Sequence, residues 1–565
     1  MASRNGGSGL NGHSPRKLKI FWVSDVIWQS SGYAVTTNHI LNRMAADGHE
    51  VYNYAPGALH GGLVEKDGVT VLSSNYGDDR WGNATLAYHL NWIKPDLVIT
   101  WLDCQGLIGY GWDETPVYMW VPVDTWPIPK QEEAIYGRAQ KLMVPSEWGL
   151  KVLSDQGIKA EYLPCGIDLE TYNITREGRE RWRQQMRPAI DADTFLIGSV
   201  GLNTGSPDRK GYGYEFDVIK KFTETRKDVR VYIHTNADGD GGAINLNVLR
   251  QEMGLEDVIC FNKPSLPLGE TELYMRDMYN SFDVLLHLGI AEGFGLPIVE
   301  AQACGTPAVI NDCSSMSELV GYGSYRCEPG DDYIAATCSR VAMPSVKNML
   351  EGLEKAYDDW KAKRVDRFRV REGVLRFEQD QLYEKHWRPL LEAVPAPLDI
   401  KSGERRLALA TGARQFEGFT HHDRELLWPH IDVAHDLENF PYPWEDDSWD
   451  YIEASDIMEH LRASIVNVMD ELWRITAPGG YVYIHTAEAG SWQLNMDPTH
   501  TQGFFIQSFD YFDPDTRHGS EYSYSDRKWK IVRRTEDAAG LHFVLTPRKE
   551  PVKLKVPRQR EKVTA

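Results

Sequence analysis

The sequence predicts an α/β protein made of three successive doubly wound units, each a mostly parallel sheet covered by helices. Three observations carry that expectation. The 565 residues exceed what one hydrophobic core organises. Short apolar runs of strand length alternate with amphipathic stretches of helical period. The alternation then restarts twice, at "TFLIGSVG" (194–201) and at "RLALAT" (406–411).

Residues 1–16 are polar and read as a disordered opening. In the first unit, residues 17–185, "LKIFWVSD" reads as a buried strand, and "SSGYAVTTNHILNRMAADGHEV" as a glycine-bearing loop, an amphipathic helix and a glycine stop. "PDLVITWL", "PVYMWVPV" and "QKLMVPS" supply further strands, and "EWGLKVLSDQGI" supplies a helix before "AEYLPCGID". The second unit, residues 186–392, continues through "VRVYIHT", "VICF", "DVLLHLG" and "PAVIND" and closes on a helical stretch over 345–392. Residues 393–403 form a proline-containing linker. The third unit, residues 404–548, places strands at "RLALAT", "DVAHDL", "WDYIEAS" and "YVYIHT", with a helix at "SIVNVMDELWRIT" and a turn at "APGG". Residues 549–565 read as a basic, flexible tail.

A net charge of -21 opposes a general polyanion-binding surface, because phosphate backbones are held by clustered Lys and Arg. No apolar run reaches the roughly 18 residues of a membrane span, and the N-terminus has no apolar signal core, so a cytoplasmic protein is expected. The seven cysteines lie apart, without zinc-ligand spacing, and read as isolated thiols.

The stretch "EGFGLPIVEAQACGTP" (292–307) carries the clearest chemistry. Pro297 suits a first helical turn, and Gly305 with Pro307 ends the helix, so its N-terminus falls at Gly295 and Leu296. Unpaired amides and the positive end of the helix dipole favour an anion there, such as a diphosphate. Glu300, about one turn in, can accept hydrogen bonds from a ribose diol, and Glu292 can do the same for a hexose hydroxyl. In "VGLNTGSPDRKGY" (200–212), Arg209 and Lys210 stand on a strand-end loop and can stabilise a departing diphosphate. Taken singly, the two glutamates also read as solvated acids, and the Arg-Lys pair as a solvated turn.

Together, "YNSFDVLLHLGIAEGFGLPIVEAQACGTPAVI" with "SSMSELVG", "VPSEWGLKVLSDQGI" with "LPCGIDLETY", and "VGLN" with "DRKGY" resemble, in motif order over residues 17–392, the family 4 (group 1) retaining glycosyltransferases of the GT-B fold. The resemblance implies two Rossmann-like doubly wound domains, an acceptor-side domain at 17–185 and a nucleotide-sugar domain at 186–392. It also implies transfer from a nucleotide-diphosphate sugar with retained configuration and no essential metal. By the same resemblance Arg209 and Lys210 neutralise the diphosphate, Glu292 touches the donor sugar and Glu300 holds the ribose. The amides of Phe294, Gly295 and Leu296 complete the phosphate site, with Asn203 in the donor loop. Gly32 and Tyr33 of "SSGYAV" belong to the cleft, and the leaving phosphate itself takes the acceptor proton. Asp124 in "VPVDTWP" either faces the acceptor or caps a strand end. His39 reads as a packing or surface residue, and Asp238-Gly-Asp240 as a surface loop.

In the third unit, "RLALATGARQFEGFTHHD", "DVAHDLENFPYPWEDDSWDYIEASDIMEHL" and "ELWRITAPGGYVYI" resemble successive motifs of class I S-adenosylmethionine-dependent methyltransferases. This implies a third Rossmann-like, methyltransferase-type α/β domain. The first motif departs from the pattern: Gly412 stands alone where a Gly-rich turn lets the backbone approach the cofactor. Asp423 can still hold a ribose, and Asp436 with Leu437 can border an adenine. "NMDPTHTQGFFIQSFDYFDP", with Asp497 and His500, reads as core or as the lining of a substrate pocket. Neighbouring His421, His422 and Asp423 point in different directions on a strand and make a poor metal set, so no metal site is expected.

The expected protein is thus a glycosyltransferase with a degenerate, non-catalytic methyltransferase-like module, for which S-adenosylmethionine is a doubtful ligand. The alternatives are a bifunctional glycosyltransferase and methyltransferase, a non-catalytic GT-B scaffold, and a phage-type enzyme glycosylating hydroxymethylated pyrimidines in DNA. The last draws on the tail lysines and arginines Lys549, Lys553, Lys555, Arg558, Arg560 and Lys562. Glycan, lipid-linked sugar, protein and modified DNA base all remain open as acceptors.

Overall fold

The computed structural model describes residues 16–56, 58–74, 83–103, 115–186, 189–205, 208–239, 241–261, 269–335, 337–394, 405–522, 524–537 and 540–549. Residues 1–15 of the expected opening 1–16, most of the linker, Cys104, Asp240 and the tail beyond Lys549 lie outside the described residues. The chain divides into two compact units, Met1–Pro395 and Ala396–Ala565.

The first unit holds two parallel sheets. In the first, β1 (Lys19–Val23), β2 (Glu50–Tyr54), β3 (Leu63–Lys66), β4 (Val69–Leu72), β5 (Leu97–Trp101), β6 (Val117–Trp120), β7 (Lys141–Val144) and β8 (Glu161–Tyr162) run in the order β3-β4-β2-β1-β5-β6-β7-β8. Only β3 is antiparallel, paired to β4 through a turn in which Asp67 and Gly68 both have positive φ (52° and 81°). That geometry suits an Asp-Gly hairpin. In the second sheet, β9 (Phe195–Val200), β10 (Val229–His234), β11 (Ile259–Phe261), β12 (Val284–His287), β13 (Ala308–Asn311) and β14 (Tyr325–Cys327) run in the order β11-β10-β9-β12-β13-β14, all parallel. A separate antiparallel pair follows, β15 (Asp332–Ile334) and β16 (Arg340–Ala342).

Every residue of β5, β6, β9, β12 and β13 is buried. Burial on both faces is why these strands read as continuous apolar runs rather than alternating ones. The closing helices, beginning with Val346–Lys361, carry the chain back to the first sheet. There the Trp387 ring lies 5.4 Å from Trp22 and 5.2 Å from Trp120, and Trp120 stacks on Trp101 at 3.9 Å. This aromatic wedge joins the end of the first unit to its beginning.

The second unit contains β17 (Arg406–Ala408), β18 (Thr420–Asp423), β19 (Val433–Ala434), β20 (Trp449–Ser455), β21 (Thr476–Thr486), β22 (Trp529–Asp537) and β23 (Gly540–Pro547), ordered β19-β18-β17-β20-β21-β23-β22. The first five strands are parallel, and β23 runs antiparallel to both β21 and β22. The turn expected at "APGG" is corrected here: pairing steps from Trp449↔Thr476 to Tyr451↔Tyr481, so residues 477–480 form a bulge inside β21. Gly479, at φ 77°, supplies the backbone conformation that such a bulge requires.

Candidate active site

The expected site residues of the first unit stand beyond the C-terminal ends of their strands, where open α/β sheets bind ligands. Gly32 and Tyr33 follow β1, Asp124 follows β6, Asn203, Arg209 and Lys210 follow β9, and Glu292 follows β12. The helix Leu296–Ala303 begins at Gly295, whose φ of 108° is open to glycine, and has Pro297 in its first turn with no side chain capping it. Its first amides therefore point outward without an intrahelical partner.

At the base of the cleft, Lys210 Nζ pairs with Glu292 Oε1, and His287 Nε2 approaches the same oxygen at 3.1 Å. Burial would raise the Glu292 carboxyl, but Lys210, the His287 hydrogen bond and Arg209 together hold it well below the usual glutamate range. Burial and Arg209 depress the Lys210 ammonium, against the pull of Glu292. The backbone of Glu292 is fixed as well: its amide donates to Ser314 Oγ at 3.0 Å, and Ser315 Oγ donates to the carbonyls of Glu292 (2.7 Å) and Phe294 (2.6 Å). The Phe294 ring packs against Phe377 at 5.4 Å.

Arg209 lies nearer the mouth, its side chain 48% exposed and 3.6 Å from Asp124 Oδ2. Its carbonyl accepts from the Ile290 amide at 3.0 Å, which ties the loop after β9 to the end of β12. Burial raises the Asp124 carboxyl to about 7 despite the nearby guanidinium. Opposite, the Tyr33 hydroxyl donates to Asp103 at 2.9 Å, and its ring meets Trp101 edge-on at 5.1 Å. The Asn203 amide nitrogen is occupied by the carbonyls of Asn236 (3.1 Å) and Ile244 (2.8 Å), so this residue shapes its loop.

Glu300 is buried and accepts from the Tyr279 hydroxyl at 2.7 Å. Burial raises its carboxyl to about 7, opposed by hydrogen bonds from Tyr279 and Tyr172. His39 approaches Glu272 at 3.1 Å and adds to the field at Glu300, closer to the cleft than its helical position suggested. Asp238 accepts from Asn247 at 3.0 Å and takes no part in the cluster. The supporting residues His287, Tyr279, Tyr172 and Asp103 were not singled out from sequence. Only His287 left a signal there, as a polar residue inside the apolar run of β12.

The two sheets of the first unit meet across this cluster. A Cβ on Gly32 would lie 3.2 Å from the Leu296 side-chain tip, whereas one on Gly293 would lie 2.2 Å from Pro122 Cβ and 3.0 Å from its Cα. A rigid proline cannot yield as a leucine tip can. Gly293→Ala should therefore lower stability by about 1–3 kcal/mol, read as a drop in Tm, while Gly32→Ala stays near wild type; equal Tm values for the two would contradict this.

In the second unit, Asp423 Oδ2 accepts from the Gly412 amide at 2.7 Å and Oδ1 from the Arg424 amide at 2.7 Å. Asp436 accepts from the Glu438 amide at 3.1 Å and lies 3.4 Å from Arg424, and Leu437 is buried in the core. His421 Nε2 accepts from the Phe416 amide at 2.8 Å, while His422 Nε2 faces the His435 carbonyl at 2.8 Å, so the adjacent imidazoles diverge.

Two parallel α/β sheets whose strand ends converge on one cleft define the first unit as a GT-B glycosyltransferase fold. The family described as "Glycosyl transferases group 1" matches residues 245–359, which include β12, Glu292 and Glu300. Among curated relatives, the D-inositol 3-phosphate glycosyltransferase of Mycobacterium sp. (strain KMS) is 36% identical over 213 residues, 34% of this chain and 47% of that protein. The chain spans less than half the length of the first curated relatives it matches, from 22% to 47%. Among solved structures, sucrose-phosphate synthase from Thermosynechococcus elongatus aligns with a TM-score of 0.54 at 17% identity, over 67% of this chain and 100% of that one. Anabaena Alr3699/HepE, in complex with UDP-glucose, aligns with a TM-score of 0.50 at 15% identity, over 66% and 99%. No helix among the described residues is long and apolar enough to cross a membrane.

Proposed function

We propose that the chain is a cytoplasmic retaining glycosyltransferase of the family 4 type, drawing its sugar from a nucleoside-diphosphate sugar. The observation that carries this reading is the sequence of groups along the cleft: Glu300 with its tyrosines, the uncapped helix start at Gly295 and Leu296, and then Lys210, Glu292 and Arg209. In that order they suit a ribose diol, a diphosphate and a hexose hydroxyl. Arg209 and Lys210 supply the charge that a departing diphosphate requires, so no metal ion need enter the transfer itself. The leaving phosphate takes the acceptor proton, and Asp124, with its raised carboxyl at the mouth, orients the acceptor. Gly32 and Tyr33 close the opposite wall, and Asn203 holds the donor loop in place.

The second unit is proposed to be a methyltransferase-like module without catalytic activity. Its run of parallel strands supports the likeness. The engagement of both Asp423 oxygens with backbone amides supports the loss of cofactor binding, because the carboxylate expected on a ribose instead secures the turn at Gly412.

Thermal shift with UDP-, GDP- and ADP-sugars tests the donor, beginning with UDP-glucose, the ligand of the similar Anabaena fold. A matching donor at 100 times its Kd should stabilise the protein by about 2.7 kcal/mol. Transfer to glycan, lipid-linked sugar, protein and hydroxymethylated pyrimidine DNA can then be screened with that donor, and the product anomer assigned by NMR. An unchanged Tm with every donor, or an inverted product, would sink the corresponding part of the reading. Calorimetric binding of S-adenosylmethionine would overturn the non-catalytic assignment of the second unit.

A further inference from the structure

We propose that the second unit holds a divalent transition-metal ion on His460, Asp497 and His500. Each residue offers one ligand atom, and the three atoms lie within 4.8 Å of one another on half-buried side chains. His460 ends a short 3-10 helix, Met458–His460, and Asp497 and His500 lie on the loop after the helix Trp492–Met496. The two segments are stapled together. The Thr501 amide donates to the Glu459 carbonyl at 2.8 Å, and Gln502 Nε2 donates to the carbonyls of Met458 (3.2 Å) and Leu461 (3.0 Å). The three ligand groups are therefore held together without a metal.

The hydrogen-bond pattern sets the tautomers. Thr499 Oγ1 directs its only hydrogen to Asp497 Oδ1 at 2.6 Å, so its contact with His460 Nδ1 at 2.9 Å requires the imidazole to donate. His500 Nδ1 faces the Leu494 carbonyl, which can only accept, at 3.0 Å. With the hydrogen on Nδ1, each ring keeps Nε2 for a metal, the arrangement in which an outer partner fixes a metal-ligating imidazole. On Asp497, Oδ1 receives both the Thr499 amide (2.8 Å) and its hydroxyl, which leaves Oδ2 for a cation. Two imidazole nitrogens and one carboxylate oxygen suit zinc, iron(II), cobalt or nickel rather than calcium or magnesium, whose preferred ligands are oxygens. Three protein ligands also leave positions for water or an incoming group.

Tag-free, full-length protein treated with a chelator should take up one equivalent of Zn2+ by calorimetry, and Co2+ should give the visible absorption of a nitrogen- and oxygen-ligated ion. His460→Ala and His500→Ala should abolish both signals. Thr499→Val, which removes no ligand but releases the His460 ring and Asp497, should weaken Zn2+ by about 10–100-fold with circular dichroism unchanged. Should the histidine variants fail to fold, the Thr499 variant and the wild-type Co2+ spectrum decide the question. Absence of stoichiometric uptake by the wild type, or uptake unaltered in whichever of these variants fold, would overturn the site.

Discussion

Lys210→Ala is expected to lower glycosyl transfer by about 100- to 1,000-fold and to destabilise the first unit by about 3–5 kcal/mol. The two losses have different origins. Transfer suffers because an ammonium is missing where charge gathers on the departing diphosphate. Stability suffers because Glu292, only 7% exposed, would lose its closest cation and keep only His287 at 3.1 Å and the field of Arg209. The double variant Lys210→Met with Glu292→Gln separates these effects. It buries no unpaired charge, so its Tm should return close to wild type while transfer stays lost. A double variant as unstable as Lys210→Ala would place the cost in packing, and transfer near wild type in Lys210→Ala would remove Lys210 from the chemistry. Glu292→Gln alone should reduce turnover more than donor affinity.

Glu300→Gln should weaken donor binding by roughly 10–100-fold, as expected for hydrogen bonds to a charged group, with a smaller change in turnover of bound donor. It should also remove a pH dependence. Burial raises the Glu300 carboxyl to about 7, so the free protein carries it largely protonated at pH 6 and ionised at pH 8. The ionised form is the better acceptor for a ribose diol, and donor affinity should therefore rise over that interval. The contribution to folding stability has the opposite sense. For a carboxyl raised on folding it is complete below the ordinary glutamate value and is lost as pH rises through about 7. Asp124 titrates in the same range, but Asp124→Asn should leave the pH slope of donor binding intact and alter that of turnover. A slope that persists in Glu300→Gln would refute the ribose assignment.

Strands β5, β6, β9, β12 and β13 of the first unit were legible because burial on both faces leaves mostly apolar side chains in near-unbroken runs. The helix at Leu296 was legible because Gly295, Pro297 and Gly305 mark its ends locally. What escaped reading depends on residues far apart in the chain. Tyr172 and Tyr279 meet Glu300 only in the folded unit, although they lie 128 and 21 residues away along the chain. The approach of Pro122 to Gly293 exists only once the first unit's halves meet. The β3–β4 hairpin did leave a local mark, Asp67-Gly68, which went unread beside the stronger parallel-sheet pattern. The bulge at residues 477–480 was taken for a turn because Ala-Pro-Gly-Gly has the same composition in either role.

The seam of the first unit is fastened differently at its two ends. At one end four tryptophans, Trp22, Trp101, Trp120 and Trp387, interlock. At the other, Glu318 accepts from the amides of Glu147 and Trp148, both at 3.0 Å, and Trp126 pairs backbone to backbone with Arg340. Hydrogen bonds of that kind contribute only about 0.5–1.5 kcal/mol each, since water replaces them when they part, whereas separated indole faces find no such substitute. Parting the polar margin should therefore cost less than parting the aromatic one, so the first unit is hinged at its tryptophans.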